Sequence, residues 1–279
     1  MKSRWLIKII RRLFDKRFFF ARLSYIKPIR KIMQVLFFKD DLIYYLPKDS
    51  VIKRSSSKTL EINEKIDRQE NVIIPSQIVD YFIEEANYHF IMNFCICRVS
   101  SNCQNYPKEL GCLFLGEAVK NIDPSLGKMV SKKEAHNHVQ KCREVGLVHL
   151  IGRNKLDTQW LHTGPSEKLL TICNCCECCC LWKMIPSLDL QISDNIQKIP
   201  SVSINVNSTC NGCGFCTQNI CFVDAISLKE NKAIINKDLC RGCGRCIEIC
   251  PQKAITLTIK KQDFVTETIQ KLSKVINVR

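Results

Sequence analysis

Twice in this chain three cysteines follow one another at three-residue intervals. The first run is Cys210, Cys213 and Cys216, and the second is Cys240, Cys243 and Cys246. Each run is trailed by a fourth cysteine, Cys221 and Cys250, the latter followed by Pro251. A segment patterned this way must wrap around something, and what it wraps decides the fold. The chain holds 19 cysteines in 279 residues, an odd number, gathered in clusters, with none from Met1 to Phe94. That distribution argues against an extracellular disulfide scaffold and for metal binding in a reducing compartment. No secretory signal is visible either, because Lys and Arg keep interrupting the apolar residues of the first forty positions.

Three cysteines at these intervals wrap one cubane. Gly212, Gly214, Gly242 and Gly244 between them permit unusual dihedrals and the approach of peptide N–H groups to cluster sulfides. In two-cluster ferredoxins the fourth cysteine of each run ligates the other cluster. One [4Fe–4S] cluster is therefore expected on Cys210, Cys213, Cys216 and Cys250, and a second on Cys240, Cys243, Cys246 and Cys221. The first run departs from the usual pattern, with four residues between Cys216 and Cys221 and Phe222 where proline is usual. A zinc ribbon built from paired cysteines is the alternative, but it gives no reason for a third cysteine at the next interval. Ala225-Ile226 and Ala254-Ile255 follow the two fourth cysteines equivalently, each before a β-rich stretch, Ser227-Leu228 and Thr256-Leu257-Thr258. This repeat implies a pseudo-twofold domain of short helices and hairpins, poorly folded without its metal.

Eleven cysteines lie upstream: Cys95, Cys97, Cys103 and Cys112; Cys142; and Cys173, Cys175, Cys176, Cys178, Cys179 and Cys180. The last six cannot all serve one cubane, because neighbouring side chains point apart. On a helix Cys173, Cys176 and Cys180 share one face and Cys175, Cys178 and Cys179 another; in an extended segment they divide by alternation. The expectation is a further iron–sulfur cluster with ligands from both groups, the alternatives being zinc, a redox-active dithiol or metal-delivery site, and buried thiols. Cys142 fits simple packing on a helix. His149, in an apolar stretch, reads as a hydrogen-bonded core residue; His136 and His138 sit two apart and do not face one way. His162, near Trp160 in an expected strand, is ambiguous. Arg98 would raise the potential of a cluster beside it, but its default reading is a surface salt bridge.

The fold class is α+β, in four regions: a basic amphipathic segment (1–75) ending in a polar stretch around Ser55, Ser56 and Ser57, a cysteine-rich domain (76–195), the two-cluster domain (200–258) and a tail (259–279). A helix is expected from Pro75 and Ser76 through Ile78, Val79, Phe82, Ile83, Ala86 and Phe90. A second opens on the capping box Ser131–Glu134, presents Ala135, Val139, Cys142 and Val145, and ends at Gly146. Residues 147–151 then read as a buried strand. The charge of +15 is concentrated: residues 1–60 hold sixteen Lys and Arg against four Asp, +12 of the total. There Trp5, Leu6, Ile9, Ile10, Leu13, Phe14 and Phe20 group opposite Arg4, Lys8, Arg11, Arg12 and Arg22, while Lys2, Lys16 and Arg17 break the pattern. No apolar run is long enough to span a bilayer. Residues 1–40 therefore suit a peripheral contact with anionic lipid or equally an acidic protein partner, with an ordinary core-packing helix as the third reading and nucleic acid behind all of these.

Taken together, Cys95, Cys97-Arg98, Tyr106-Pro107, Gly111-Cys112-Leu113-Phe114-Leu115-Gly116, Gly146-Leu147-Val148-His149 and Ile172-Cys173-Asn174-Cys175-Cys176 resemble a family. The chain is similar, over about residues 75–258, to the 4Fe–4S dicluster ferredoxin-type proteins of anaerobic archaea and bacteria. The resemblance implies electron transfer in anaerobic metabolism; the cysteine-rich composition further leads us to expect redox partner proteins and a cytoplasmic location, on the inner face of the membrane if the basic segment meets lipid. Two rival readings stand beside it: a reductase whose upstream site acts on a substrate such as a disulfide, and a zinc- or metal-handling protein. Against an enzyme, the chain has no dinucleotide or phosphate-loop signature and no evident general acid among the cysteines.

Overall fold

Short alternating apolar runs supply the strands of a seven-stranded sheet in a computed structural model of the chain. The structure describes residues 2–52, 74–261 and 263–279; the serine-rich stretch at 55–57 lies outside them. The strands are β1 (Leu42–Tyr45), β2 (His89–Met92), β3 (Leu113–Leu115), β4 (Gly127–Met129), β5 (Val148–Arg153), β6 (Leu170–Cys175) and β7 (Ile196–Lys198). Their order across the sheet is β4-β2-β3-β6-β5-β1-β7. All neighbours are antiparallel except β1 and β7. The first cysteine-free segment thus delivers a strand inside the sheet, one in from its β7 edge. A Cβ on Gly152 would meet the Leu42 carbonyl oxygen at 2.0 Å, so only glycine lets β5 approach β1 this closely.

The period-2 pattern sends alternate side chains to two different cores. On one face Tyr44, Leu113, Leu115, Ile151 and Ile172 pack with Ile78, Val79, Phe82 and Ile83 of helix Ser76–Glu85 and with Ala135 and Val139 of helix Lys132–Glu144. On the other face Ile43, Tyr45, Val148, Leu150 and Cys175 pack with Ala21, Phe38, Trp182 and Ile185. Phe90, Met92 and Phe114 on that face meet Ile7, Val119, Trp160 and Leu161. The N-terminal helices Lys2–Leu13, Arg17–Arg22 and Lys27–Met33 thus supply part of the cover over the face that carries Cys175.

Several expected boundaries shift. Helix Ser76–Glu85 stops where Ala86 turns extended, and Phe90 belongs to β2, because the apolar spacing continues across a change from helix to strand. The capping box at Ser131 and Glu134 is formed, and Gly146 leaves the helix at φ +86°. Val145, expected on the apolar side, is 40% exposed. Trp160 lies in helix Lys155–Leu161, whose left-handed cap is His162 at φ 55°, rather than in a strand. In the first helix Ile7 is buried while Trp5 and Leu13 are exposed, so the packed face is rotated from the expected one.

In the C-terminal region β8 (Val202–Val206) pairs with β11 (Ile255–Ile259), and β9 (Ile226–Lys229) pairs with β10 (Lys232–Ile235), both antiparallel. Helix Phe264–Ser273 follows and packs through Phe264 and Leu272 into the first core. Replacing Ser131 with Ala should lower stability by about 1 kcal/mol, the usual cost of a lost N-cap, measured as a shift in urea midpoint with unchanged slope.

Candidate metal centres

The eight C-terminal cysteines line two separate cavities. Cys210, Cys213, Cys216 and Cys250 line one, with Gly212, Gly214 and Ala233. Cys221, Cys240, Cys243 and Cys246 line the other, with Gly242, Gly244, Tyr45 and Phe222. The fourth cysteine of each run therefore lies with the opposite triplet. Gly212 shows why the loop needs glycine: its φ is +72°, and a Cβ there would meet the Asn231 carbonyl oxygen at 2.4 Å. Three backbone amides already point at sulfur, Ala233 to Cys210 at 3.4 Å, Ala225 to Cys221 at 3.3 Å and Ala254 to Cys250 at 3.3 Å. Donors in this arrangement suit thiolates bound to a cluster. Cys213 is exposed, whereas Cys216 is buried.

The upstream cysteines divide into two sets because the local backbone changes at Cys176. On β6 residues two apart share a face, so Cys173 and Cys175 point the same way. The turn after the strand swings Cys176, Cys178 and Cys179 elsewhere, and Cys180 returns to the side of Cys173 and Cys175. Neither a uniform helix nor a uniform strand describes this division.

The first set comprises Cys103, Cys176, Cys178 and Cys179, whose sulfurs all lie within 4.8 Å of one another. Cys103 to Cys178 and Cys178 to Cys179 are each 3.6 Å. A tetrahedral ion with metal–sulfur bonds of about 2.3 Å requires sulfur–sulfur edges of roughly 3.8 Å. These four thiols therefore match a single closed ion more closely than the wider spread of a cubane. Cys142, fully buried, packs beside them, and burial pushes its thiol up to about 12. It accordingly behaves as an inert core residue.

The second set comprises Cys95, Cys97, Cys112, Cys173, Cys175 and Cys180. Cys112 and Cys173 are 3.8 Å apart; Cys175 hydrogen-bonds with Cys173 and Cys180, and Cys95 with Cys97. The bond from Cys97, helped by Arg98, holds the Cys95 thiol down at about 7.

Arg98 is not the surface salt bridge expected of it: it is 0% exposed. Its Nη1 donates to the Asn174 carbonyl at 2.8 Å and its Nη2 to the Leu110 carbonyl. The guanidinium also faces Cys95, Cys175 and Cys176, so it stands between the two thiol sets. A second charged bridge has no counterpart in the sequence pattern. Arg245, within the second C-terminal motif, pairs with Glu177 at 3.0 Å and donates to the Tyr106 hydroxyl at 3.0 Å. Glu177 lies between Cys176 and Cys178, so this bridge ties the C-terminal motif to the four-thiol set. Motif spacing carries no signal for it, because its members lie far apart in sequence.

His149 is buried, with Nδ1 2.8 Å from Asn174 Oδ1 and Nε2 3.1 Å from Arg143 Nε. His138 is also buried and donates to the Gly111 carbonyl, while His136 faces Asp80 and Glu84 at the surface. Burial depresses His149 from 6.5 to about 3. Its contribution to stability is complete above pH 6.5 and is lost as pH falls from there toward 3. That slope should be about 1.4 kcal/mol per pH unit. Urea titrations between pH 6 and 4.5 should show it in the wild type and lose it in His149→Gln.

Residues 233–256 match the 4Fe-4S binding domain family, a span that contains Cys240, Cys243, Cys246 and Cys250. The chain is also 46% identical over 48 residues to one of the component proteins of the ion-translocating oxidoreductase complex of Methanosarcina acetivorans. That stretch is 17% of this chain and 18% of the relative, so the chain spans under a fifth of the protein it matches. No solved structure matches. The C-terminal region of this chain is thus a 4Fe–4S binding domain of the kind that serves iron–sulfur electron transfer.

Proposed function

We propose that this chain is an electron-transfer protein carrying two [4Fe–4S] clusters, with a single tetrahedral metal ion bracing its upstream domain. The observation that carries this reading is the pair of cavities, each lined by one complete four-cysteine set. Cys210, Cys213, Cys216 and Cys250 hold one cluster; Cys221, Cys240, Cys243 and Cys246 hold the other. Bound there, such clusters supply one-electron redox chemistry. Ala225, Ala233 and Ala254 steady the sulfur charge through their amides, and the exposed Cys213 offers an edge to a redox partner protein. Cys103, Cys176, Cys178 and Cys179 supply all four ligands of a tetrahedral ion, which is the pattern of a structural site rather than one open to substrate. This closed set weighs against the reductase reading at that position.

Cys240→Ser/Cys246→Ser should remove about four irons and four sulfides per chain relative to the wild type purified without oxygen. It should also abolish one of two coupled EPR signals. Unchanged iron in that variant would refute the assignment. The four-thiol ion should appear as one equivalent of zinc or unclustered iron, and disappear in Cys103→Ser/Cys179→Ser.

The N-terminal helices favour a second element of this reading, contact with an anionic membrane surface. Nine of the sixteen large hydrophobic side chains exposed among the described residues fall within residues 1–40, including Trp5, Phe19, Tyr25, Ile32 and Leu36. They are interleaved with Arg4, Lys8, Arg11, Arg12, Arg22 and Lys31. No helix of the described residues is long and apolar enough to cross a membrane. Aromatic and aliphatic groups among cations suit the headgroup region, where each basic residue adds about 1 kcal/mol. The protein should sediment with phosphatidylglycerol vesicles, blue-shifting Trp5 emission, and be released by salt. Equal binding to phosphatidylcholine vesicles, or none to either, would count against lipid.

A further inference from the structure

Six thiols remain after the two C-terminal cavities and the four-thiol set are accounted for, leaving aside the core residue Cys142. We propose that Cys95, Cys97, Cys112, Cys173, Cys175 and Cys180 hold a third iron–sulfur cluster, placed in series with the cluster of Cys240, Cys243 and Cys246. The proposal deepens the electron-transfer reading and rests on it for the direction of its use.

The spread of the donors is the first argument. These six cysteines come from three stretches of chain, the loop and helix at 95–97, the entry to β3 at 112, and β6 with its following turn. They form one continuous chain of contacts from Cys112 through Cys173 and Cys175 to Cys180, with Cys95 and Cys97 alongside. A single tetrahedral ion takes four thiolates. A cubane takes no more, but among the described residues the sulfurs that all lie within 4.8 Å of one another are those of Cys103, Cys176, Cys178 and Cys179, whereas these six are strung out along a chain of contacts, the wider spread that a cubane needs. The donors are also all of one chemistry, and soft thiolates alone select iron–sulfur clusters or thiophilic ions.

Charge is the second argument. Two guanidinium groups are spent on this pocket. Arg98 approaches from one side. Arg17, one of the residues that break the amphipathic pattern of the first helices, approaches half-buried from the other, facing Cys97, Asp15 and Cys180. It is held by the rings of Phe14 and Phe18 at 4.3 and 4.5 Å and by the Phe14 carbonyl. Both Nε atoms are buried without a hydrogen-bond partner among the described residues. Burying Arg98 among neutral thiols would be costly. A metal–thiolate core carrying net negative charge removes that cost.

Position is the third. Tyr45 is 0% exposed, and its buried hydroxyl has no hydrogen-bond partner among the described residues. The phenol is neighboured by Cys175 and Cys180 of this pocket and by Cys243 and Arg241, and the same residue lines the second C-terminal cavity. Tyr45 is therefore a side chain common to the surroundings of both sites. Exchange of one electron between them oxidises one site by one equivalent and reduces the other equally, with no bond made or broken. The redox partner protein supplies the electron.

The test is iron, acid-labile sulfide and zinc on the full chain purified without oxygen, for the wild type and for Cys112→Ser/Cys175→Ser. The double variant is expected to lose about four irons and four sulfides while keeping the two C-terminal EPR signals and the four-thiol ion. Equal iron in both proteins overturns the proposal, whatever the C-terminal count. So does a loss of zinc in place of iron, which would make the pocket a zinc–thiolate site. Should the variant fold poorly, the wild type decides alone: about twelve irons support a third cluster, and eight or fewer overturn it. Failure of the electron-transfer reading has a different signature, since Cys240→Ser/Cys246→Ser would then leave iron unchanged.

Discussion

A guanidinium with no access to solvent governs the upstream half of this protein. Burying an unpaired ion costs several kcal/mol, and Arg98 has only two carbonyls and a ring of sulfur atoms to set against that cost. The carbonyls of Leu110 and Asn174 fix where it sits, and with it the loop before β3 and the end of β6. The sulfurs must then carry negative charge for the arrangement to persist. One cation thereby couples the backbone geometry of the sheet to the ionisation of the thiols on either side of it.

This coupling explains why the C-terminal ligands are legible in the sequence and the upstream ones only as a pool. In the C-terminal domain each triplet is a local wrap, so spacing alone assigns three ligands, and the pseudo-twofold repeat assigns the fourth. The extra residue before Cys221 and the replacement of proline by Phe222 do not displace that cysteine from its cavity. Upstream, membership depends on where β6 ends. The strand stops at Cys175, between two cysteines, and no residue there marks the change as glycine or proline would. That cysteines from both groups come together is foreseeable from sequence; their division into four and six is not.

Arg17 and Arg98 are hard to read from sequence for a related reason. Next to an apolar run a charged residue looks like an interruption or a solvated rim, and burial of a cation is legible only once its counter-charges are located. Ile7, buried while its near neighbour Trp5 is exposed, shows the same limit for the helical lead. Its partners, β2, β3 and the helix ending at Leu161, lie far along the chain. The capping box at Ser131, by contrast, is satisfied by residues three apart, and it forms where expected.

The two halves are joined by more than a linker. The Lys48 amide reaches the Cys243 carbonyl at 3.2 Å, and Lys48 Nζ pairs with Glu248 at 2.6 Å. Arg245 adds its bridge to Glu177 and Tyr106. Distortion at the Cys243 loop is thereby felt at the turn that bears Cys176 to Cys179.

Strand β1 gives this architecture a schedule. Its two neighbours are β5, about a hundred residues later, and β7, later still, so on the ribosome Leu42–Tyr45 emerges with nothing to pair with. By the time residue 198 is available, every upstream cysteine has already been made. Domains otherwise tend to consolidate from the N-terminus as they emerge; here β1 waits for β5 to pair with it on one side and for β7 to complete the sheet on the other. A chain built in this order completes its sheet last at the β7 edge, just before the first of the C-terminal cysteine runs is made.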